Sequence, residues 1–429
     1  MLTTLLVSLG AMLALTVPIA ISIAICTVAV FAIYFNNTNM DTMLAQAMVT
    51  SSDSFPMLAI PFFMLVGTLM ERTKIAKQLV DVAEVLTGSM SGGLGMTTIV
   101  AAIFFSAICG SGPATAAAIG GIMVPALVSQ KYSREYCGGL IACASVIGPV
   151  IPPSIPMIMF GVSVGASITT MFLAGFIPGI LLGVVCMIYN YYISKKRGYK
   201  GVDLNLGGRE KLRIIWRAAP ALIMPVIVLG GIYSGLFTPT ESAVVGVMYA
   251  SFIGYFIYKN LNFAMYKAAV IDAAITSGTT MFILGGAITF GRLMTIGKIP
   301  QSLTAMMTTV SESPVVILFI VNVILVFAGM LVDTISCVII FAPLFTPVLV
   351  SLGYHPVYIG VIMVINLCIG MVTPPTGVNT MVAQRVSGAT FEGVVKEAAP
   401  LVVLQFLALA LMIVFPSIVT CIPKALKLM

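Results

Sequence analysis

The chain alternates long apolar runs with short polar breaks from one end to the other. Apolar stretches of more than about 18 residues recur throughout, each long enough to cross a bilayer core as a helix. The pattern predicts spans over Met171–Ile193, Ala218–Leu236, Ala243–Tyr258 and Ile275–Leu293. Leu2–Phe35 reads as two short spans turning near Pro18, which places the N-terminus outside. Glu71–Leu86 and Phe263–Ala274 are charged and amphipathic enough to lie along the membrane interface as arms.

Four apolar runs are interrupted by residues that cannot continue a helix. In the run Ile99–Val128 the break is Ser106-Ala-Ile-Cys-Gly110-Ser111-Gly112-Pro113-Ala-Thr115. Positive charge flanks that run on both sides, with Arg72, Lys74 and Lys77 before it and Lys131 and Arg134 after it. An even number of passes is therefore needed, and a re-entrant hairpin over about 92–130, tipped at Gly110–Pro113, supplies it. A second hairpin is expected over about 314–352, with its tip near Gly329-Met-Leu-Val-Asp333-Thr334. The other two breaks, Gly148–Pro153 and Gly370–Pro375, predict broken helices over about 136–170 and 356–387.

These breaks fall into register when the chain is laid against itself. Pro125 meets Pro347 and Pro178 meets Pro400, both at an offset of 222. At the same offset Gly148-Pro-Val-Ile-Pro-Pro-Ser154 meets Gly370-Met-Val-Thr-Pro-Pro-Thr376. Pro18 meets Pro239 at 221, and Lys74 meets Lys298 at 224. An odd number of spans separates equivalent points, so the second copy starts from the opposite side. The expectation is an all-α integral membrane protein built as an inverted-topology repeat, residues 1–217 and 218–429, with the site where the copies meet.

Composition agrees with the pattern. Of 429 residues 60% are hydrophobic and 8% charged, with a mean hydropathy of +1.13, against roughly 25% charged in soluble domains. Met1–Phe35 starts too weakly cationic for a signal peptide. The net charge of +7 gathers largely in Lys195–Arg217, where eight of the 21 Lys and Arg residues fall and Trp216 stands as an interface anchor. Basic loops are retained in the cytoplasm, so this loop is expected inside, the turn Phe237–Glu241 outside, and the Asn36–Asp53 stretch outside. Lys424, Lys427, Arg292 and Lys298 run against the rule. No basic stripe interleaves with aromatics, so nucleic acid is not a partner. The eight cysteines show no Cys-x-x-Cys spacing and His355 is the only histidine, so neither a zinc site nor a disulfide framework is expected. Intramembrane hydrolases need paired Asp, Ser with His, or a metal motif; none occurs, so the chain is not read as an enzyme. Nor is there a phosphate-binding loop for ATP.

The candidate chemistry sits at the breaks. Non-helical backbone at membrane depth survives only where protein or a polar cavity surrounds it. Carbonyls freed at a half-helix C-terminus suit a hard cation, and N–H groups at the next N-terminus attract an anion. Asp333, ionisable in an apolar stretch, is a functional candidate. Glu241 in Thr238-Pro-Thr-Glu-Ser242 reads as a helix cap or subunit contact, and His355 beside Pro356 as incidental.

Here the sequence resembles the large membrane subunit of the tripartite ATP-independent periplasmic (TRAP) transporters. The match is carried by Cys109–Gly120, Ile147–Ser154, Phe237–Ser242, Gly329–Thr334 and Gly370-Met-Val-Thr-Pro-Pro-Thr-Gly377, in the family's order. The resemblance implies an elevator-type, Na⁺-driven subunit in the bacterial inner membrane. It implies a separate small four-helix membrane subunit and a periplasmic substrate-binding protein that captures an organic acid, typically a C4-dicarboxylate or sialic acid. Carried over, it puts Na⁺ near Ser106, Gly110 and Ser111 with Gly148 and Pro149, and a second ion near Asp333 and Thr334 with Gly370 and Thr373. The substrate would lie between the tips, near Thr115, Pro153, Ser154, Thr376 and Gly377. The alternative is a partner-free Na⁺/carboxylate carrier of related inverted-repeat architecture.

Overall fold

A computed structural model describes residues 1–15, 17–35, 42, 45–46, 49–50, 53–73, 75–201 and 207–429. Lys74, Asp203 and most of the Asn36–Asp53 stretch lie outside the described residues. The described chain is helical, and nine of its helices are long and apolar enough to cross a membrane. The first half begins with α1 (Leu2–Ala14) and α2 (Ile19–Phe35), followed by α3 (Ala59–Arg72) and α4 (Ile75–Thr87). It continues with α5 (Gly93–Cys109), α6 (Gly112–Ser129), α7 (Arg134–Ser145), α8 (Ile155–Val164) and α9 (Ile168–Arg197). Next come α10 (Gly208–Tyr233), α11 (Pro239–Phe252), α12 (Phe263–Ile296) and α13 (Ile299–Val310). The chain closes with α14 (Pro314–Leu331), α15 (Thr334–Ser351), α16 (Pro356–Gly370), α17 (Val378–Ser387), α18 (Phe391–Val414) and α19 (Ser417–Ala425).

The breaks set the boundaries. Helices α6 and α15 start and stop at positions 222 apart, and α5–α9 follow the same order as α14–α18: two helices about a tip, a third helix, a break, and two more helices. Both broken segments hold a cis peptide, at Pro152–Pro153 and Pro374–Pro375. The hairpins enter from opposite ends. Near the start of α5, Gly95 presses on Asn190 close to the basic end of α9, and Ser133 N–H beyond α6 donates to Tyr199 OH at 3.5 Å. The far end of α15, by contrast, shares a cavity with Ser163 at the other end of α8 and with Pro356. At the basic end Arg197 pairs with Glu397 at 2.9 Å, Arg134 donates to the Ser387 carbonyl at 3.0 Å, and Arg72 pairs with Asp272.

Four expectations are corrected. The basic segment 195–217 is not one loop, because α9 runs on through Arg197 and α10 starts at Gly208, leaving most of the charge on helix ends. The first broken helix ends at Val164 rather than near 170, since Gly165 takes a left-handed φ of 73° that stops it. Phe263–Ala274 is not a separate arm but the first turns of α12, which runs unbroken for 34 residues, about 51 Å at 1.5 Å per residue. Asn262 caps its start, accepting from Met265 N–H at 2.8 Å, and no proline interrupts it. The arm 71–86 does form a helix of its own, α4, where burial pushes the Asp81 and Glu84 carboxyls up. His355 is more than incidental: its Nδ1 accepts from Val357 N–H at 3.2 Å and caps α16. Glu241 caps α11 as expected, in a reciprocal capping box with Thr238.

The second hairpin is seated backbone on backbone. A methyl group on Gly370 would stand 2.8 Å from the Gly329 carbonyl carbon, and one on Gly329 would stand 3.0 Å from the Leu367 oxygen. Gly370→Ala is therefore expected to lower stability by about 1–3 kcal/mol through overpacking. Gly121→Ala, in a helix with open space around the new methyl, should be neutral or stabilising by up to about 1 kcal/mol. Thermal unfolding of the two variants in detergent checks the contrast.

Candidate functional site

The first tip is built by glycine. Helix α5 closes at Gly110, whose φ of 64° is open to residues without a Cβ, and its N–H reaches Ser106 O at 3.4 Å. Ser111 is extended and precedes α6, which starts at Gly112–Pro113. The Ser111 hydroxyl makes no capping bond, so the first N–H groups of α6 have no side-chain acceptor. The second tip differs. Asp333 is the N-cap of α15, accepting from Ser336 N–H at 3.0 Å and from Ser336 Oγ at 2.6 Å.

Each tip is seated on the break of its own half. A methyl on Gly110 would meet the Pro153 carbonyl at 2.4 Å, and one on Gly148 would meet both Ser111 O and Thr115 Oγ1 at 2.8 Å. In the second half Thr376 donates its N–H to Met330 O at 3.3 Å and its hydroxyl to the same oxygen. Thr334 Oγ1 lies 2.8 Å from Met371 Sδ.

The two tips then meet across a cavity of about 260 Å³. Gly110, Ser111 and Pro113 line it from the first tip, and Asp333, Thr334 and Ile335 from the second. Of the predicted site residues, Gly110, Ser111, Pro149, Asp333 and Thr334 reach this cavity. The remainder hold the walls in place. Ser106 Oγ donates to Ala102 O at 2.5 Å, Thr115 Oγ1 to Ser111 O at 2.8 Å, and Thr373 Oγ1 to Ile369 O at 3.0 Å. Ser154 donates to Pro149 O while capping α8. Gly148, Pro153 and Gly370 form the tip-to-break contacts, and Gly377, with φ of 50°, turns the chain into α17.

Three contributors were not read from the sequence. Met64 on α3 and Thr276 on α12 line the cavity from outside the hairpins. Asn379, fully buried in the first turn of α17, lies against Gly112, whose added methyl would stand 2.8 Å from Nδ2 and 3.0 Å from Oδ1. Both of its amide atoms lack a partner. A residue from the second half thus backs the tip of the first. A polar side chain just past Pro374–Pro375 is the signal that would have found it. Among the described residues no three His, Cys, Asp or Glu side chains converge, so the polar groups that line the cavity are hydroxyls, backbone atoms and one carboxylate, with the Asn379 amide buried behind the first tip.

An inverted helical repeat that buries two polar tips around a common cavity defines a membrane transport protein. The fold agrees with the crystal structure of the Alcanivorax borkumensis YdaH transporter, at a TM-score of 0.68 over 93% of this chain and 97% of that one, with 11% sequence identity. The sequence goes further: residues 6–418 match the family model of the tripartite ATP-independent periplasmic transporter, DctM component. The chain belongs to that family, as a large permease subunit and not an enzyme. It is 34% identical over 95% of its length to the sialic acid TRAP transporter large permease SiaM of Vibrio cholerae, of which it covers 95%. It is 38% identical over 94% of its length to the isethionate TRAP transporter permease DctMQ of Oleidesulfovibrio alaskensis, of which it spans 63%. It is also 34% identical over 96% of its length to the 2,3-diketo-L-gulonate large permease YiaN of Escherichia coli, of which it covers 97%.

An unpartnered buried amide destabilises the fold by about 1–3 kcal/mol for each group left unsatisfied. Asn379→Leu is therefore expected to leave the unfolding temperature in detergent unchanged or raised, and to abolish transport. A clear drop in that temperature would show that the amide has a structural partner instead.

Proposed function

We propose that this chain is the Na⁺-coupled, substrate-translocating subunit for a small organic acid in the bacterial inner membrane. The observation that carries the reading is the cavity bounded by both hairpin tips, with one carboxylate among its lining residues. The relatives are named for isethionate, sialic acid and 2,3-diketo-L-gulonate, all of them acids that are anionic near neutral pH. An anion entering this cavity meets the uncapped N-terminus of α6, where free N–H groups and the helix dipole favour negative charge. A C4-dicarboxylate or sialic acid would fit that chemistry equally.

The same cavity suits a small hard cation, which prefers oxygen ligands. Asp333 retains carboxylate lone pairs beyond those used on Ser336. The Thr334 hydroxyl rests on the sulfur of Met371, a weak acceptor, so its own lone pairs are free to face an ion. The last carbonyls of α5, left open by the Gly110 stop, offer a second group of oxygens. Charge balance then favours loading together: the acid lowers the cost of bringing a cation to membrane depth, and the cation does the same for the acid.

Transport follows as an elevator. The hairpins and broken helices move as one unit past α3 and α12, whose Met64 and Thr276 close the cavity on the remaining side. A four-helix membrane subunit and a periplasmic binding protein complete the system, the latter delivering the acid from the face opposite the basic helix ends.

Uptake into proteoliposomes is expected only with both partners and a Na⁺ gradient. Asp333→Asn should leave stability within about 0.5 kcal/mol, because Asn caps helices as well as Asp. It should nonetheless reduce Na⁺-dependent uptake at least about tenfold, the scale of one lost charged contact. Uptake indifferent to both Na⁺ and this substitution would refute the coupling.

A further inference from the structure

A second cavity, of about 600 Å³, lies on the same seam as the tip cavity, toward the end of the molecule away from the basic helix ends. It lies between α12, from Leu284 to Ile296, and α15, from Pro343 to Val350, and is closed by the last residues of α8. The two cavities stand in series. On α12 the tip cavity ends at Thr276 and the second begins at Leu284; on α15 the corresponding residues are Ile335 and Pro343. Each pair is eight residues apart along its helix, about 12 Å at 1.5 Å per residue.

Arg292 lines this second cavity, and no acidic residue does. The ion pairs among the described residues are Arg72–Asp272 and Arg197–Glu397, so the Arg292 guanidinium has no carboxylate partner. Across the cavity Thr346 is 5% exposed, and its hydroxyl has no hydrogen-bond partner. Arg292 is also one of the few basic residues that fall on the side the positive-inside rule would leave uncharged. A cation retained there, exposed and in a hollow that Ser163, Thr295 and Thr346 also line, matches what a carboxylate or sulfonate needs.

We propose that this cavity is an outward-facing vestibule in which Arg292, with Thr346, receives the anionic group of the solute before it passes along the α12–α15 seam to the tips. The identity of the cargo rests on the organic-acid reading above. The cationic character of the vestibule does not, and the test separates the two.

In the first arm, Thr295→Cys, which lines the same cavity, is labelled from outside in right-side-out vesicles with anionic and cationic methanethiosulfonate reagents. Seven of the eight native cysteines are buried, and the unmodified chain gives the background. The anionic reagent is expected to be favoured about fivefold, by the field of an unpaired charge in a low-dielectric cleft, and Arg292→Gln should remove that preference. Absence of labelling from outside, or a preference that Arg292→Gln does not change, overturns the vestibule. In the second arm, uptake by the complete transporter with Arg292→Gln should show KM raised about tenfold and maximal rate within about twofold, with partial recovery in Arg292→Lys. An unchanged KM overturns the placement of Arg292 on the route even where labelling succeeds. A native chain that takes up no organic acid, but passes the labelling arm, refutes the transport reading and leaves the anion-receiving cavity standing.

Discussion

Everything in this molecule depends on how it satisfies backbone that is not helical at the depth of the membrane. In hydrocarbon an unpaired N–H or C=O costs several kcal/mol, so each interruption of a helix must be covered by protein. Among the described residues the two tips and the two Pro-Pro breaks are such interruptions, and they cover one another in pairs. Gly110 lies under the Pro153 carbonyl, and Gly148 under Ser111; Gly329 lies on Gly370, and Thr376 reaches Met330. Glycine is needed at these contacts because a Cβ would enter the space of the facing backbone. The hydroxyls beside them are mostly committed locally, donating to backbone carbonyls four or five residues earlier in the chain.

That commitment explains why the fold was more legible in the sequence than the site. Breakers are scarce, and their offset of 222 survives as helix boundaries, so α6 and α15 could be placed almost to the residue. Hydroxyl residues near a break carry two meanings that sequence does not separate. Ser111 and Thr334 reach the cavity, whereas Thr115, four residues after Ser111, and Thr376 at the second break spend their hydroxyls on backbone oxygens. Met64 and Thr276 could not be read at all, because they come from helices that bear no break and meet the tips only through tertiary packing. The length of α12 was misjudged for a related reason. Charge at Lys267 and Asp272 suggested an interfacial arm, yet neither residue stops a helix, and Asp272 is paired with Arg72.

The symmetry builds the cavity, and its failures give the cavity direction. The first tip is neutral with an uncapped helix start, while the second holds a carboxylate already turned toward Ser336. Two ligands of opposite charge would therefore sort themselves, the anion toward α6 and the cation toward Asp333. Asn379 crosses the pseudo-symmetry, reaching from the second break to the first tip, and no equivalent amide reaches back among the described residues: the position 222 before it is Met157. A ligand that satisfied Asn379 would tie the two halves together at the moment of loading.

A second departure concerns the scaffold. Helix α3 is short and follows a turn at Phe55–Leu58, whereas α12, which aligns with it at the C-terminal end, runs on for 34 residues. Only the longer helix runs the full height of the seam, with Asp272 paired to Arg72 near one end and Arg292 without a carboxylate partner near the other. In the elevator proposed above, a continuous helix would serve as a track because it presents no unsatisfied backbone to a neighbour that slides along it. On this view the unit carrying the tips needs specific polar contacts only where cargo is received and where it is held. On the proposals above those two places on α12 are the surroundings of Arg292 and of Thr276, and the hydroxyls between them at Thr280 and Thr289 are turned back onto the helix's own carbonyls.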